Sequence, residues 1–187
     1  LDGGLIVGVD YTYMGLDPPS SNNQAVVSGA GSVWRSTEMN VGWDSVGNSL
    51  IITNGGVVRD ATGRLGNYAT ATGNWVVVTG AGSMWTNSTE IRFGEDGPSN
   101  SVSVLNGGLI VSADNTYMGL NPPSSNNHAM VSGAGSVWRS IAGDMNVGWE
   151  STGNSLIITN GGVVIDVDGR VGYDYEATGN WAVVTGA

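Results

Sequence analysis

Cysteine and lysine are both missing from this sequence, histidine and phenylalanine occur once each, and charged residues make up only 12% of it. Each shortage excludes something. Without cysteine there is no disulfide and no thiolate metal site, a composition that fits an exported bacterial protein as well as a cytosolic one. The six basic residues are all arginine, at 35, 59, 64, 92, 139 and 170, against 16 acidic ones, for a formal net charge of -10. Nucleic acid and anionic membrane need clustered cations, so both are disfavoured as partners. No apolar run approaches the roughly 20 residues of a membrane helix. No signal peptide opens the chain, and no stretch sustains a helical period. The single histidine, His128, falls in a loop before a strand, and any Ser-His-Asp set would have to share it. No nucleophile constellation is visible, and the chain reads as a non-enzyme.

What is present is glycine, 31 of 187 residues and more than double its usual share, without the spacing of collagen. Val, Ile, Leu, Thr, Trp and Tyr supply strand formers, and Gly, Asn, Asp and Ser supply turns. Internal repetition organises them. Leu1–Ser36 realigns on Leu105–Ser140 through GGLIV, TYMGL, PPSSNN and VSGAGSVWRS. GNSLIITNGGVV at Gly47–Val58 recurs unchanged at Gly153–Val164. The long period of about 104 to 106 residues halves to about 52, because Trp34, Trp85 and Trp138 close successive AGSxW motifs, and it halves again to about 26.

Seven coils follow, alternating two turn types. One carries N/D-G-G at Asp2–Gly4, Asn54–Gly56, Asn106–Gly108 and Asn160–Gly162. The other carries G-A-G at Gly29–Gly31, Gly80–Gly82 and Gly133–Gly135, with Gly186–Ala187 beginning another. A further glycine ends a short apolar stretch in each coil, at 15, 42, 66, 94, 119, 148 and 172. Three strand-like segments per coil predict an all-β, three-faced, right-handed parallel β-helix, or β-solenoid, over 1–187. At about 4.8 Å per coil it would stand some 34 Å tall. The pattern begins and breaks off mid-coil, so a segment of a longer repeat array is expected. A propeller blade is excluded, since the unit is too short for four strands.

Period-two alternation assigns the faces. On the first strand Leu50 and Ile52 should stack on Val76 and Val78, Val102 and Val104, then Ala129 and Val131. On the second, Ile6, Val33, Val58, Met84, Ile110, Val137 and Val164 are expected inside. On the third, Met14, Val41, Leu65, Phe93, Met118, Val147 and Val171 are. Asn23, Asn48, Asn74, Asn100, Asn127, Asn154 and Asn180 each precede a first strand and are read as a structural ladder, amide on amide.

The stretch from Gly47 to Asn87, GNSLIITNGGVV…GRLG…TGNWVVVTGAGSMWTN, resembles the type V secretion/PEP-CTERM-associated repeat of bacterial surface proteins, autotransporter passengers included. Leu50, Ile52, Asn54, Gly55, Gly56, Val58, Gly63, Gly66, Val76, Val78, Gly80–Ser83, Trp85 and Asn87 carry the likeness, which extends over the whole chain. It implies export and display on a β-helical stalk at the bacterial cell surface, and it brings no catalytic residues. The LDPPSSNN and LNPPSSNN loops (Leu16–Asn23, Leu120–Asn127) and the acidic turns depart from it. No barrel or sorting tail is seen.

A sharper candidate is a column in which Val7, Trp34, Arg59, Trp85, Val111, Trp138 and Ile165 recur. If it points outward, it is an apolar contact stripe suited to a second copy of the chain or to a surface glycan. The acidic turns Glu95–Asp96, Asp114, Asp144, Asp166 with Asp168, and Asp174 with Glu176 are oxygen-rich, and Ca²⁺ favours such ligands. Asp166 and Asp168 are the residues such a site would use, yet no turn matches a calcium-binding nonapeptide or EF-hand loop. A glycan-cleaving carboxylate pair is a remoter reading. Asn87-Ser88-Thr89 is a glycosylation sequon by pattern, expected to stay unmodified in a bacterial protein. The sequence therefore points to an extracellular structural or adhesive solenoid, part of a fibre, stalk or passenger. Its partners would be other copies of itself, head to tail or lateral, or a longer parent chain.

Overall fold

The computed structural model describes residues 3–186, apart from the side chain of Val9; Asp2 of the first expected turn and Ala187 of the last lie outside the described residues. Among the described residues there is no helix, and 19 strands wind into a β-solenoid of stacked coils. Three columns of strands rise through it. The first holds Gln24–Ser28, Ser49–Thr53, Trp75–Thr79, Ser101–Leu105, His128–Ser132, Ser155–Thr159 and Trp181–Thr185. His128 thus opens a strand rather than sitting in a loop. The second column holds Val57–Asp60, Met84–Asn87, Leu109–Ser112, Val137–Ser140 and Val163–Ile165. The third holds Thr62–Leu65, Ile91–Phe93, Thr116–Met118, Met145–Val147 and Gly169–Val171. Two longer strands, Leu5–Met14 and Val33–Val41, run through both of the latter columns and join them into a 12-stranded sheet, while the first column is a 7-stranded sheet of its own. Every pairing is parallel, because each strand meets its counterpart one coil later.

The first and third columns follow from alternation alone. Leu50 pairs with Val76, Val76 with Val102 and Val102 with Ala129, each sealed from solvent. The intervening Ile51, Val77, Ser103 and Met130 are half-exposed. Met14, Val41, Leu65, Phe93, Met118, Val147 and Val171 form the matching stack on the third column. Each aliphatic side chain so enclosed contributes on the order of 1.5–3 kcal/mol.

The second column departs from expectation. Its interior positions are Ile6, Trp34, Val58, Trp85, Ile110, Trp138 and Val164, paired in that order. Val33, Met84 and Val137, expected inside, lie on the outer side and are half-exposed. The cause is turn length. Asn54–Gly56 links strands ending at Thr53 and starting at Val57, whereas Gly80–Ser83 separates Thr79 from Met84 with one residue more. A single extra residue moves every following side chain to the opposite face. The added serine has a use: the Gly55 amide donates to Ser83 Oγ at 3.0 Å, and the Gly107 amide to Ser136 Oγ at 3.1 Å. In the shorter turn, Asn54, Asn106 and Asn160 take left-handed φ values of 52°, 51° and 51°, which asparagine tolerates better than most residues.

Alternation of turn types thus becomes alternation of bulk, with indole between aliphatics along one interior column. Neighbouring positions are cut to fit. A Cβ at Gly63 would stand 2.5 Å from the Trp85 ring, so a glycine sits inside a strand where it would otherwise weaken the sheet.

Candidate functional site

The expected contact column divides in two. Trp85 and Trp138 have 0% exposure and Trp34 is half-buried, all three within the core stack. Val7, Arg59, Val111 and Ile165 stay on the outer side, Arg59 pairing with Thr86 and Val111 with Arg139. The outer stripe is therefore neither aromatic nor continuous, and Trp85 and Trp138 present no surface for a partner. Bulk explains their place: an indole is the largest apolar group the chain has to bury.

Burying an indole also buries its N–H. Trp85 Nε1 donates to Asp60 Oδ2 at 2.6 Å, and Asn87 Nδ2 donates to Asp60 Oδ1. Asp60 is only 7% exposed, held inside by the alternation Val58-Arg59-Asp60. Burial pushes its carboxyl up to about 7, against the two hydrogen bonds, which favour the charged form. Beneath Trp138 the corresponding residue is Ser112, whose hydroxyl is engaged with the Thr89 and Asn115 carbonyls, and Nε1 of Trp138 has no partner among the described residues. Asn87, first residue of the glycosylation sequon, is 3% exposed with its amide on Asp60. Among the described residues no nucleophile or second carboxylate bonds to Asp60; the cluster is a polar island that satisfies an indole.

The asparagine column is a continuous chain of hydrogen bonds. The backbone N–H of Asn23, Asn48, Asn74, Asn100, Asn127 and Asn154 donates to Oδ1 of the asparagine one coil on, at 2.8–3.0 Å. Most side-chain Nδ2 groups add a second bond to the same oxygen, as from Asn48 to Asn74 at 3.0 Å. The glycine at the end of each third strand makes room for it. At Gly66 a Cβ would lie 2.1 Å from Asn100 Nδ2, and the φ of 69° is itself left-handed. Two separate features of the sequence, the recurrent Asn and the recurrent Gly, are the two sides of one contact.

No family model, curated protein or solved structure matches the chain.

Apart from Trp75 and Trp181 on the first column, the aromatic residues that do reach the surface lie beside the third column. Trp43 meets Tyr13 at 5.2 Å and Tyr68 at 5.5 Å between ring centroids, both edge to face, with Arg64 5.9 Å over its ring. A counterpart in the second half has Tyr117 at 5.4 Å from Trp149, and Tyr173 stacked on Trp149 at 3.9 Å. Trp43 and Trp149 lie outside the AGSxW motif that marks Trp34, Trp85 and Trp138 in the sequence. Half of the acidic turn carboxylates, those of Glu95, Asp96, Asp144 and Asp168, are tied up with arginine or amide. Arg170 pairs with Asp144 and, at 3.3 Å, with Asp168; Arg92 pairs with Glu90 at 2.7 Å and Glu95 at 2.9 Å; Asn121 donates to Asp96 at 2.7 Å. Asp166 and Asp168 do not converge with a third ligand: no group of three or more His, Cys, Asp or Glu is placed to hold a metal among the described residues. His128 Nδ1 lies 2.8 Å from Ser155 Oγ on the next coil, and partial burial lowers its pKa.

Proposed function

We propose that the chain is a structural and adhesive β-solenoid, part of a bacterial cell-surface fibre, stalk or autotransporter passenger, whose work is reach, rigidity and contact by repetition. The observation that carries this reading is the unbroken asparagine ladder beside a continuous apolar stack. Such a design stiffens one axis and specifies little else, which suits a spacer. The resemblance of the repeat to bacterial surface proteins supports export and display. Outermost rungs such as Leu5, Ile6 and Val184 are exposed at 62%, 44% and 78%, and a further coil, from the same chain or another copy, would cover them.

A polysaccharide-binding module is the second reading, moved from the buried tryptophans to the exposed Tyr13–Trp43–Tyr68 and Tyr117–Trp149–Tyr173 groups, because flat rings flanked by polar side chains suit sugar rings. One set of measurements separates the two. Electron microscopy and sedimentation of the purified chain should reveal end-to-end or lateral assemblies that grow with concentration. Dispersed monomers at every concentration, together with saturable glycan capture that Trp43→Ala abolishes, would replace the fibre by the binding module.

A further inference from the structure

Arg35 and Arg59 stand side by side on the outer face of the second column, at directly paired positions of adjacent strands. Like charges directly opposite on neighbouring strands destabilise a sheet, and this chain has 16 acidic residues with which to relieve them. It does not. Arg64, Arg92 and Arg170 are ion-paired, but among the described residues no carboxylate comes within 4.0 Å of Arg35 or Arg59. Asp10 borders the neighbouring depression beside Arg35 without reaching it.

The pair flanks a shallow cleft of about 310 Å³ that Ser36, Thr37, Ala61 and Ser88 complete. Asp60 also borders the cleft, but its carboxyl is turned inward to Trp85 and Asn87. Thr37 and Ser88 are exposed, whereas Ser36 Oγ, in phase with Asp60, is closed off from solvent. The doublet occurs once: Arg139 repeats Arg35, but the residue paired with it, in the place of Arg59, is Ile165. Near-identity of the two halves makes that difference informative, since a purely architectural role would recur.

We infer that Arg35 and Arg59, with the hydroxyls of Thr37 and Ser88, form a binding site for a single oxyanion, a sulfate, phosphate or carboxylate group. Two guanidinium forks and neutral hydroxyl donors are the chemistry that recognises such a group. A net charge of -10 repels a polyanion. The ligand is therefore a small free anion, or one charged group on an otherwise neutral saccharide.

The test is titration of the isotopically labelled chain with sodium sulfate, with glucuronic acid and with glucose, following the backbone amide signals of Thr37, Ala61 and Ser88. Saturable shifts with sulfate or glucuronate, and none with glucose, are expected. Tighter binding of sulfate assigns a free anion, and tighter binding of glucuronate assigns a saccharide-borne one. Arg59→Ile copies the residue that the second half already carries, so it should fold. It should weaken binding about tenfold or more, the loss that goes with one charge-assisted hydrogen bond, whereas Arg139→Ala should leave binding unchanged. Absence of saturable shifts with either anion, or equal shifts in Arg59→Ile, would overturn the site.

Discussion

A carboxyl group shut inside an aliphatic stack, as Asp60 is, holds its proton more tightly than the same group in water. Its folded value of about 7 lies above the ordinary 3.8, and the sign of the consequence follows. Between about pH 4 and pH 7 the unfolded chain has lost a proton that the folded chain keeps, so stability falls as pH rises through that window and levels off above it. Three pK units correspond to roughly 4 kcal/mol. Asp60→Asn is neutral throughout, still accepts from Trp85, and, once the Asn87 amide turns over, donates an N–H to Asn87 Oδ1, which is buried without a partner. Urea denaturation across the window should show the difference between parent and variant widening toward high pH in favour of the variant. Parallel profiles would mean that Asp60 ionises normally. Half of this cluster was readable in the residues: alternation from Val58 places Asp60 inside. Its partners were not, because Trp85 and Asn87 belong to a strand whose phase depends on a turn one residue longer than its neighbours.

At the scale of strands and turns, the first and third columns could be read correctly because a fixed landmark adjoins each: an asparagine two residues before the first inward position of one, and a glycine directly after the last inward position of the other. The second could not, since two turn lengths alternate ahead of it and a fixed spacing of 26 slips by one. The asparagine column shows what a conserved phase yields. Asn100→Ala removes the acceptor for the Asn74 N–H and the donor to the carbonyls of Ala71 and Gly97, all buried. Unsatisfied buried groups cost about 1–3 kcal/mol each, so a loss of about 3 kcal/mol or more is expected in thermal or chemical denaturation. Asn23→Ala, at an exposed rung whose backbone donor survives, should cost under about 1 kcal/mol. Equal losses at the two positions would show that the ladder adds nothing beyond local turn geometry.

Over the whole molecule each coil touches only the coils above and below it, so stability is distributed along one axis. Rungs containing Ile52, Val78, Val104 and Val131 are sealed, all four at 0% exposure. Val183 and Val184 are 40% and 78% exposed. Hydrogen exchange should therefore be slowest through the central rungs and quicken toward both ends. Uniform protection from Val27 to Val184 would instead indicate a single cooperative unit.

Two turn lengths in strict alternation also decide how such an array can lengthen or shorten in a genome. Excising one coil would bring Trp34 against Trp85, indole upon indole, in a column whose spaces are shaped for one large and one small side chain in turn. Excising a double coil leaves every neighbour of the familiar size. Recombination between repeats is thus tolerated only in even steps, and the heritable module of this protein is the pair of coils.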